Sequence, residues 1–177
     1  MDIHTSNIQN LVIIESEKFK DDRGWFQESY NYNEFNKLGI NGEFVQDNLV
    51  YSKINVLRGL HFQKNDSQGK LISCIKGKIF DVAVDLRPES DTYKNWVGYS
   101  LSENDSRFIY IPEGFAHGYS VESNEALVHY KCTRHYNSDS EIGIIWNDPD
   151  INISWPKDNY ILSDKDKNNI RFKELAI

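Results

Sequence analysis

The chain has 177 residues, a length typical of one domain with a sizeable core, and we expect a single domain over residues 1–177. Its 27 acidic residues outnumber its 20 basic residues. The resulting net charge of −7 argues against general nucleic-acid binding, which needs clustered Lys and Arg side chains. Hydrophobic residues make up 39% and aromatic residues 13% of the chain, which argues against disorder and favours β structure.

The cysteines and the N-terminus indicate the compartment. Cys74 and Cys132 are too few for a disulfide-stabilised fold, and each lies in an apolar run, so we expect buried free thiols. No run approaches the roughly 20 apolar residues that span a bilayer. The first residues have neither the basic nor the apolar part of a signal peptide. We therefore expect a cytoplasmic protein that does not associate with membranes.

Short runs with β character follow one another along the chain, and Gly or polar turn residues separate most of them. Lys76 and Gly77 lie between two runs and predict a tight hairpin, because Gly adopts a positive φ without steric cost. Alternation of polar and apolar side chains over residues 81–86 predicts a half-buried antiparallel strand. In chain order the predicted strands are residues 11–14, 44–51, 57–63, 70–75, 78–86, 96–101, 107–111, 117–121, 126–131 and 142–146.

Helical signals are few. Asn33 is suited to cap a helical turn that runs to Leu38 and stops at Gly39. Ser163, followed three residues later by Asp166, predicts the start of a last short helix. Many short strands with little helix favour an all-β sandwich or barrel of the jelly-roll kind, a fold that commonly holds a ligand between its sheets.

Three side chains in the predicted strands could carry acid–base chemistry. His61 shares a strand face with Gly59, which leaves space for a ligand, although a hydrogen-bonded core histidine would show the same pattern. Lys70 begins the next strand and could offset negative charge on an oxygen, or it could be a surface lysine. Tyr130 could deliver a proton to a carbanion-like centre, or it could be a core tyrosine.

Other polar residues bear on cofactors. His117 lies in a glycine-containing segment whose side chains could reach a cavity. Asp164 or Asp166 could orient a histidine through its Nδ1–H, or could merely begin a helix. The sequence has no His-x-His pair at His61, so ligand count argues against a catalytic metal. No glycine-rich phosphate loop is present, which argues against a dinucleotide cofactor.

Ten short motifs follow one another along the chain. They are residues 22–28 (DRGWFQE), 46–48 (QDN), 57–63 (LRGLHFQ), 68–71 (QGKL), 80–87 (FDVAVDLR), 111–118 (IPEGFAHG), 130–133 (YKCT), 146–149 (WNDP), 155–156 (WP) and 163–166 (SDKD). Each motif is weak alone, but their joint order and spacing are specific. Together they resemble the dTDP-4-dehydrorhamnose 3,5-epimerase family, which comprises cupin-type nucleotide-sugar epimerases. The resemblance extends from about Asp22 to Asp166, which is most of the chain.

The resemblance implies a cupin-type jelly roll that works as a homodimer with shared active sites, without a metal or other cofactor. The implied substrate is a nucleoside-diphosphate 4-keto sugar for surface polysaccharide biosynthesis. By matched position, His61 is the general base and Asp166 its carboxylate partner. Tyr130 is the acid on the opposite face, and Lys70 stabilises the enolate oxygen. The residues implied to line the nucleotide-sugar site are Arg23, Phe26, Glu28, Gln46, Asn48, Arg58, His117, Tyr136 and Lys165.

One departure from the family pattern concerns specificity. The family often has serines after the Asn of its Gln-x-Asn motif, whereas here Val50 stands at one such position and only Ser52 matches. The resemblance leaves open the nucleotide (dTDP, GDP or CDP), a hexose or heptose sugar, and inversion at C3, C5 or both. It also leaves open whether Arg23 and Glu28 act in cis or in trans. Two other functions stay open, a nucleotide-sugar 3,4-ketoisomerase and a non-catalytic sugar-binding cupin, and the Tyr130 acid argues against the isomerase.

Overall fold

The computed structural model describes residues 1–175, and these are folded mainly as β-strands. In chain order the strands are β1 (Asp2–Thr5), β2 (Val12–Glu15), β3 (Lys18–Asp21), β4 (Gly24–Gln27), β5 (Gln46–Lys53), β6 (Leu57–Gln63), β7 (Lys70–Lys76), β8 (Lys78–Asp85), β9 (Trp96–Ser102), β10 (Arg107–Ile111), β11 (Phe115–Val121), β12 (Glu125–Cys132) and β13 (Glu141–Gly143). Two short α-helices, α1 (Tyr32–Lys37) and α2 (Asp164–Lys167), and a 3₁₀ turn at Phe172–Glu174 complete the elements. None of the helices in this range is long and apolar enough to cross a membrane.

Two antiparallel sheets form a sandwich. The larger sheet has the strand order β1-β2-β10-β7-β12-β5, and the smaller has the order β13-β6-β11-β8-β9. Strands β3 and β4 form a separate two-stranded hairpin. The mainly β jelly-roll fold predicted from the sequence is confirmed, and each of the ten predicted runs overlaps one strand. Strands β1, β3 and β4 were not predicted, because their mostly exposed residues give no buried-face pattern.

The main core lies between the two sheets. Ile72, Ile109 and Val128 of the larger sheet pack in one cluster with Ile79 and Leu101 of the smaller sheet, and each is at most 1% exposed. Fully burying a side chain of this size stabilises the fold by about 1.5–3 kcal/mol. The core holds the two sheets at a fixed separation, which is the condition for a preformed cavity between them.

A second apolar layer covers the outer face of the smaller sheet, and it corrects the prediction of a half-buried strand at residues 81–86. Strand β8 is buried on both faces, because Val82 and Val84 on its outer face pack against Ile151 and Phe172 from the C-terminal segment. Asp81 on its inner face is 1% exposed. The alternation of polar and apolar residues separates the two faces of β8 correctly. It does not show that the outer face is covered, because the C-terminal segment that covers it lies far away in the sequence.

The predicted hairpin at Lys76 and Gly77 is wrong. The strands on either side, β7 and β8, belong to different sheets, so the chain crosses the sandwich at this point. Gly77 has φ +79°, and a Cβ atom there would lie 2.0 Å from the backbone oxygen of Glu125. The glycine is required at this position, but it turns the chain between the layers instead of within one sheet.

Both predicted helices are present. The N-cap of α1 is Asn31, not Asn33, and its side chain accepts hydrogen bonds from the backbone N–H groups of Asn33 and Glu34. Helix α1 buries Phe35 on the outer face of the larger sheet. Ser163 caps α2 as predicted and accepts from the backbone N–H of Asp166. The cap fixes α2 close to strand β6.

Candidate active site

A cavity of about 370 Å³ opens between the two sheets. Its walls come from β5, β7 and β12 of the larger sheet and from β6, β11 and β13 of the smaller, with α2 at its side. Ten of the thirteen site residues expected from the sequence line it: Gln46, Asn48, Arg58, His61, Lys70, His117, Tyr130, Tyr136, Lys165 and Asp166. The fold thus gathers side chains that are up to 120 residues apart in the sequence.

His61 and Asp166 form a hydrogen-bonded pair. The ring Nε2 of His61, on β6, lies 2.5 Å from Oδ1 of Asp166, which is 3% exposed at the start of α2. Burial opposes ionisation of Asp166, but the hydrogen bonds from His61 and the Ser163 hydroxyl outweigh it and lower the pKa of the carboxyl. Asp164, the alternative partner, instead pairs with Lys167 at the surface.

The carboxylate binds a different ring nitrogen from the one expected. The sequence leads us to expect a carboxylate on Nδ1 of a histidine, whereas in the structure Asp166 contacts Nε2 of His61. Because the carboxylate oxygen accepts the Nε2–H, the neutral ring carries its lone pair on Nδ1. The nitrogen able to take up a proton is therefore Nδ1.

Lys70 lies in the cavity wall at the first residue of β7. Burial lowers the pKa of its ammonium, partly offset by the nearby acidic groups of Cys132, Asp81 and Glu141. No side chain among residues 1–175 accepts a hydrogen bond from it. A cation enclosed without an acceptor favours an anionic oxygen in the cavity.

Tyr130 faces His61 from the opposite wall. It lies on β12 of the larger sheet, whereas His61 lies on β6 of the smaller, and both line the same cavity. Burial raises the pKa of the Tyr130 phenol to about 12. The phenol therefore keeps its proton at neutral pH and is a donor on the face opposite the imidazole.

Hydrogen bonds among the polar side chains fix the remaining walls. Arg58 donates from Nε to the Ser52 hydroxyl at 2.9 Å, and that hydroxyl lies 3.2 Å from the hydroxyl of Tyr119, a lining residue that the sequence reasoning missed. His117 Nε2 is 2.8 Å from Asp81 Oδ2.

Strand β5 supplies a row of inward-facing side chains. Gln46 donates to Asn48 at 3.1 Å and accepts from the backbone N–H of Tyr136 at 2.8 Å. Val50, the departure from the family pattern, follows on the same face and lines the cavity. The cavity therefore presents a methyl surface where a serine would present a hydroxyl.

Glu141 is the main cavity residue that the sequence does not predict. It accepts hydrogen bonds from the Tyr136 hydroxyl, at 2.5 Å, and from the Lys165 ammonium, and its Oε1 lies 3.9 Å from His61 Nδ1. Burial opposes ionisation, but these donors and His61 lower the pKa of Glu141. The predicted strand began one residue later, and the sequence held no signal for the register that pairs Gly143 with His61.

Three expected residues lie elsewhere on this chain. Arg23 is paired with Asp21, at 2.5 Å, on the β3–β4 hairpin, and Phe26 on the same hairpin is 68% exposed. Both line a separate shallow cavity of about 350 Å³. Glu28 follows the hairpin and accepts a hydrogen bond from Asn31 at 3.2 Å. None of the three lines the cavity that holds His61.

Comparison with known proteins identifies the family to which this chain is similar. Residues 5–174 match the family model described as dTDP-4-dehydrorhamnose 3,5-epimerase. The enzyme of that name from Methanothermobacter thermautotrophicus is 49% identical over 166 residues, covering 92% of this chain and 90% of the relative. The Escherichia coli K12 enzyme is 46% identical over 178 residues, covering 99% and 96%.

A solved structure extends the similarity to three dimensions. The dTDP-6-deoxy-D-glucose-3,5-epimerase of Legionella pneumophila, in complex with dTDP-4-keto-L-rhamnose, superposes with a TM-score of 0.96 at 43% identity. The match covers 99% of this chain and 94% of that one. Because the family model covers residues 5–174 and a relative of that name is 49% identical over 92% of this chain, the chain belongs to the dTDP-4-dehydrorhamnose 3,5-epimerase family.

Proposed function

We propose that this protein inverts both C3 and C5 of a dTDP-linked 4-keto-6-deoxy hexose, which supplies a sugar for surface polysaccharide. The observation that carries the proposal is the placement of His61 and Tyr130 on opposite walls of one cavity, with the Lys70 ammonium in that cavity. The names of the relatives at 46–49% identity and the dTDP-sugar held by the Legionella protein support the same substrate.

The reaction follows from the acidity that a ketone gives to its neighbouring carbons. His61 Nδ1 removes the C–H proton next to the C4 carbonyl, and the bonding electrons move onto the C4 oxygen. Lys70 stabilises that oxyanion. Asp166 holds the ring and stabilises the imidazolium that forms. Tyr130 then delivers its proton to the same carbon from the opposite face, which inverts the centre.

Six further side chains would bind the nucleotide sugar. Arg58 and Lys165 are the cations suited to the diphosphate, because charge-assisted hydrogen bonds to phosphate oxygens are strong. The amides and rings able to orient the sugar and the base are Gln46, Asn48, His117 and Tyr136. Both cysteines are buried free thiols, which supports the proposal that the enzyme works in the reducing cytoplasm.

We also propose that the enzyme is a homodimer in which Arg23, Phe26 and Glu28 complete the partner's site. The β3–β4 hairpin supports this, because it exposes Phe19, Trp25 and Phe26 by 56%, 58% and 68%. Exposed aromatic side chains grouped in this way are typical of an interaction surface. Sedimentation at micromolar concentration should give a dimer, and a monomer would contradict the proposal.

Proton NMR in D₂O tests the function directly. We expect deuterium at both C3 and C5 of dTDP-4-keto-6-deoxyglucose, and we expect the ketone to remain at C4. A GDP-linked 4-keto heptose is tested separately, because Val50 changes the cavity wall. A ketone that has moved from C4 to C3 would identify a ketoisomerase. Saturable binding without hydrogen exchange into the sugar would identify a binding module. His4→Asn, at an exposed histidine on β1, serves as a control for His61→Asn, which should abolish exchange.

A further inference from the structure

Two carboxylates flank the imidazole of His61, one at each ring nitrogen. Asp166 lies 2.5 Å from Nε2, and Glu141 Oε1 lies 3.9 Å from Nδ1. The proposed chemistry uses Asp166 to hold the ring and leaves Glu141 without a role. The register that pairs Gly143 with His61 puts Glu141, two residues earlier, on the same face of the sheet as the histidine.

Inverting two centres in one site requires the acid and the base to be reset. After the first inversion, His61 holds the proton taken from carbon, and Tyr130 is a phenolate. A second proton abstraction at Nδ1 cannot begin until the imidazolium has lost that proton to solvent. Tyr130 must likewise regain a proton from solvent, so the net change is one proton leaving past His61 and one arriving at Tyr130.

We propose that Glu141 is the proton relay that resets His61 between the two inversions, an inference that rests on the function proposed above. Glu141 accepts the Nδ1 proton of the imidazolium and passes it to water at the cavity mouth. The distance of 3.9 Å exceeds a direct hydrogen bond, so a small rotation of the side chain or one bridging water closes the gap. A side-chain base commonly takes up a proton either directly or through one bridging water.

The surroundings of Glu141 provide the exit to solvent. Its side chain is only 12% exposed, but its two donors, Lys165 and Tyr136, are 56% and 54% exposed. They connect the carboxylate beside the imidazole to bulk water, and a sugar bound over the His61 side chain, which is 30% exposed, leaves this route open. Asp166, by contrast, is 3% exposed and has no comparable route outward. Glu141 therefore has the route to solvent that a proton relay requires, and Asp166 does not.

A second Tyr–Glu–Lys group on the same chain provides a control that distinguishes a proton-relay role of Glu141 from a purely structural one. Glu125 accepts from the Tyr51 hydroxyl at 2.6 Å and pairs with Lys76 at 2.5 Å, at the opposite end of β12 from the cavity. Glu125→Gln therefore removes a carboxylate with the same kinds of donors without touching His61. The Glu125→Gln variant therefore shows how the loss of a similarly bonded carboxylate affects the stability of the fold alone.

The experiment compares the wild type, Glu141→Gln, Glu141→Asp and Glu125→Gln by rapid-quench NMR in D₂O. The glutamine keeps an oxygen acceptor for Tyr136 and Lys165 but cannot carry a proton. For Glu141→Gln we expect the first centre to invert within about 3-fold of the wild-type rate, while the second slows by roughly 10-fold to 100-fold. Product inverted at one centre should then be released. Added formate should restore the second inversion in this variant and leave the wild type unchanged.

Each outcome decides between explanations. Glu141→Asp should recover part of the second inversion because it restores a carboxylate, and Glu125→Gln should behave as wild type. Inversion of both centres at the wild-type rate in Glu141→Gln would overturn the relay. Equal loss at both centres, with no response to formate, would overturn it in favour of a positioning role. A wild-type enzyme that inverts neither centre would refute the proposed function instead.

Discussion

At the scale of single residues, Lys70 and Asp85 are both charged and enclosed, but they differ in their hydrogen-bond partners. Asp85 is fully buried and accepts hydrogen bonds from Arg87, Ser90 and Thr92. Lys70 has no acceptor among residues 1–175. A satisfied charge rigidifies a turn, whereas an unsatisfied charge in a cavity is available to a ligand. The sequence could not separate these cases, because both residues begin or end ordinary strands.

Asp85 determines part of the acid stability. Burial would raise its pKa, but the donors from Arg87, Ser90 and Thr92 prevail and lower it from 3.8 to about 2. Because the folded pKa is depressed, this stabilisation is present above about pH 4 and is lost as the pH falls toward 2. Asp85→Asn should lower the free energy of unfolding at pH 7 by about 2 kcal/mol and flatten its decline between pH 4 and 2. Urea unfolding measures this, and the exposed Asp91→Asn should change neither quantity.

Most of the residues that line the cavity can be predicted from the sequence, but not all of them. The joint motifs placed His61, Lys70, Tyr130 and Asp166, and the structure brings all four to one cavity. Glu141 was out of reach, because its distance from His61 depends on a strand register that no local pattern encodes. The choice between the ring nitrogens of His61 was likewise decided by the position of α2.

At the scale of elements, the four-residue helix α2 places Asp166 against His61. Ser163 caps it and accepts from the Asp166 N–H at 3.0 Å. Ser163→Ala should cost about 1 kcal/mol and loosen Asp166, so kcat should fall roughly 3-fold to 10-fold with little loss of fold. Ser123→Ala removes a comparable turn hydroxyl, which accepts from Lys78 N at 2.7 Å, and should leave kcat unchanged. Equal kcat for both variants would show that the cap does not position Asp166.

The crossing at Gly77 provides the second test at this scale. Its positive φ and the Glu125 oxygen 2.0 Å from a Cβ position together exclude a side chain. Gly77→Ala should lower the free energy of unfolding by more than about 2 kcal/mol. Gly39 has a similar φ of +82° with nothing within 4 Å, so Gly39→Ala should cost only about 1 kcal/mol. A cost no larger at Gly77 than at Gly39 would show that the crossing tolerates a side chain.

At the scale of the whole molecule, the C-terminal segment closes the fold over the smaller sheet. Trp155 packs against Phe80 with ring centroids 6.1 Å apart, and Phe172 packs in the same apolar cluster. The sequence indicated strands and short helices but not which face this segment covers. Sheet order and covering segments depend on contacts between distant residues, which alternation alone cannot specify.

We propose on this basis that residues 1–177 unfold as one domain. Because the C-terminal segment and both sheets share buried side chains, tryptophan fluorescence and far-UV circular dichroism should report the same urea midpoint. Two separate transitions would instead indicate that the C-terminal segment is an independent unit. Ala176 and Ile177 lie outside the described residues.

The most direct test of the account is the position and configuration of deuterium after reaction in D₂O with His61→Asn and Tyr130→Phe. If His61 is the base and Tyr130 the opposite-face acid, Tyr130→Phe should exchange the C–H protons next to the ketone without inverting the carbons. His61→Asn should then exchange none. Exchange at the wild-type rate in His61→Asn, or full inversion in Tyr130→Phe, would contradict the assignment of base and acid across the cavity.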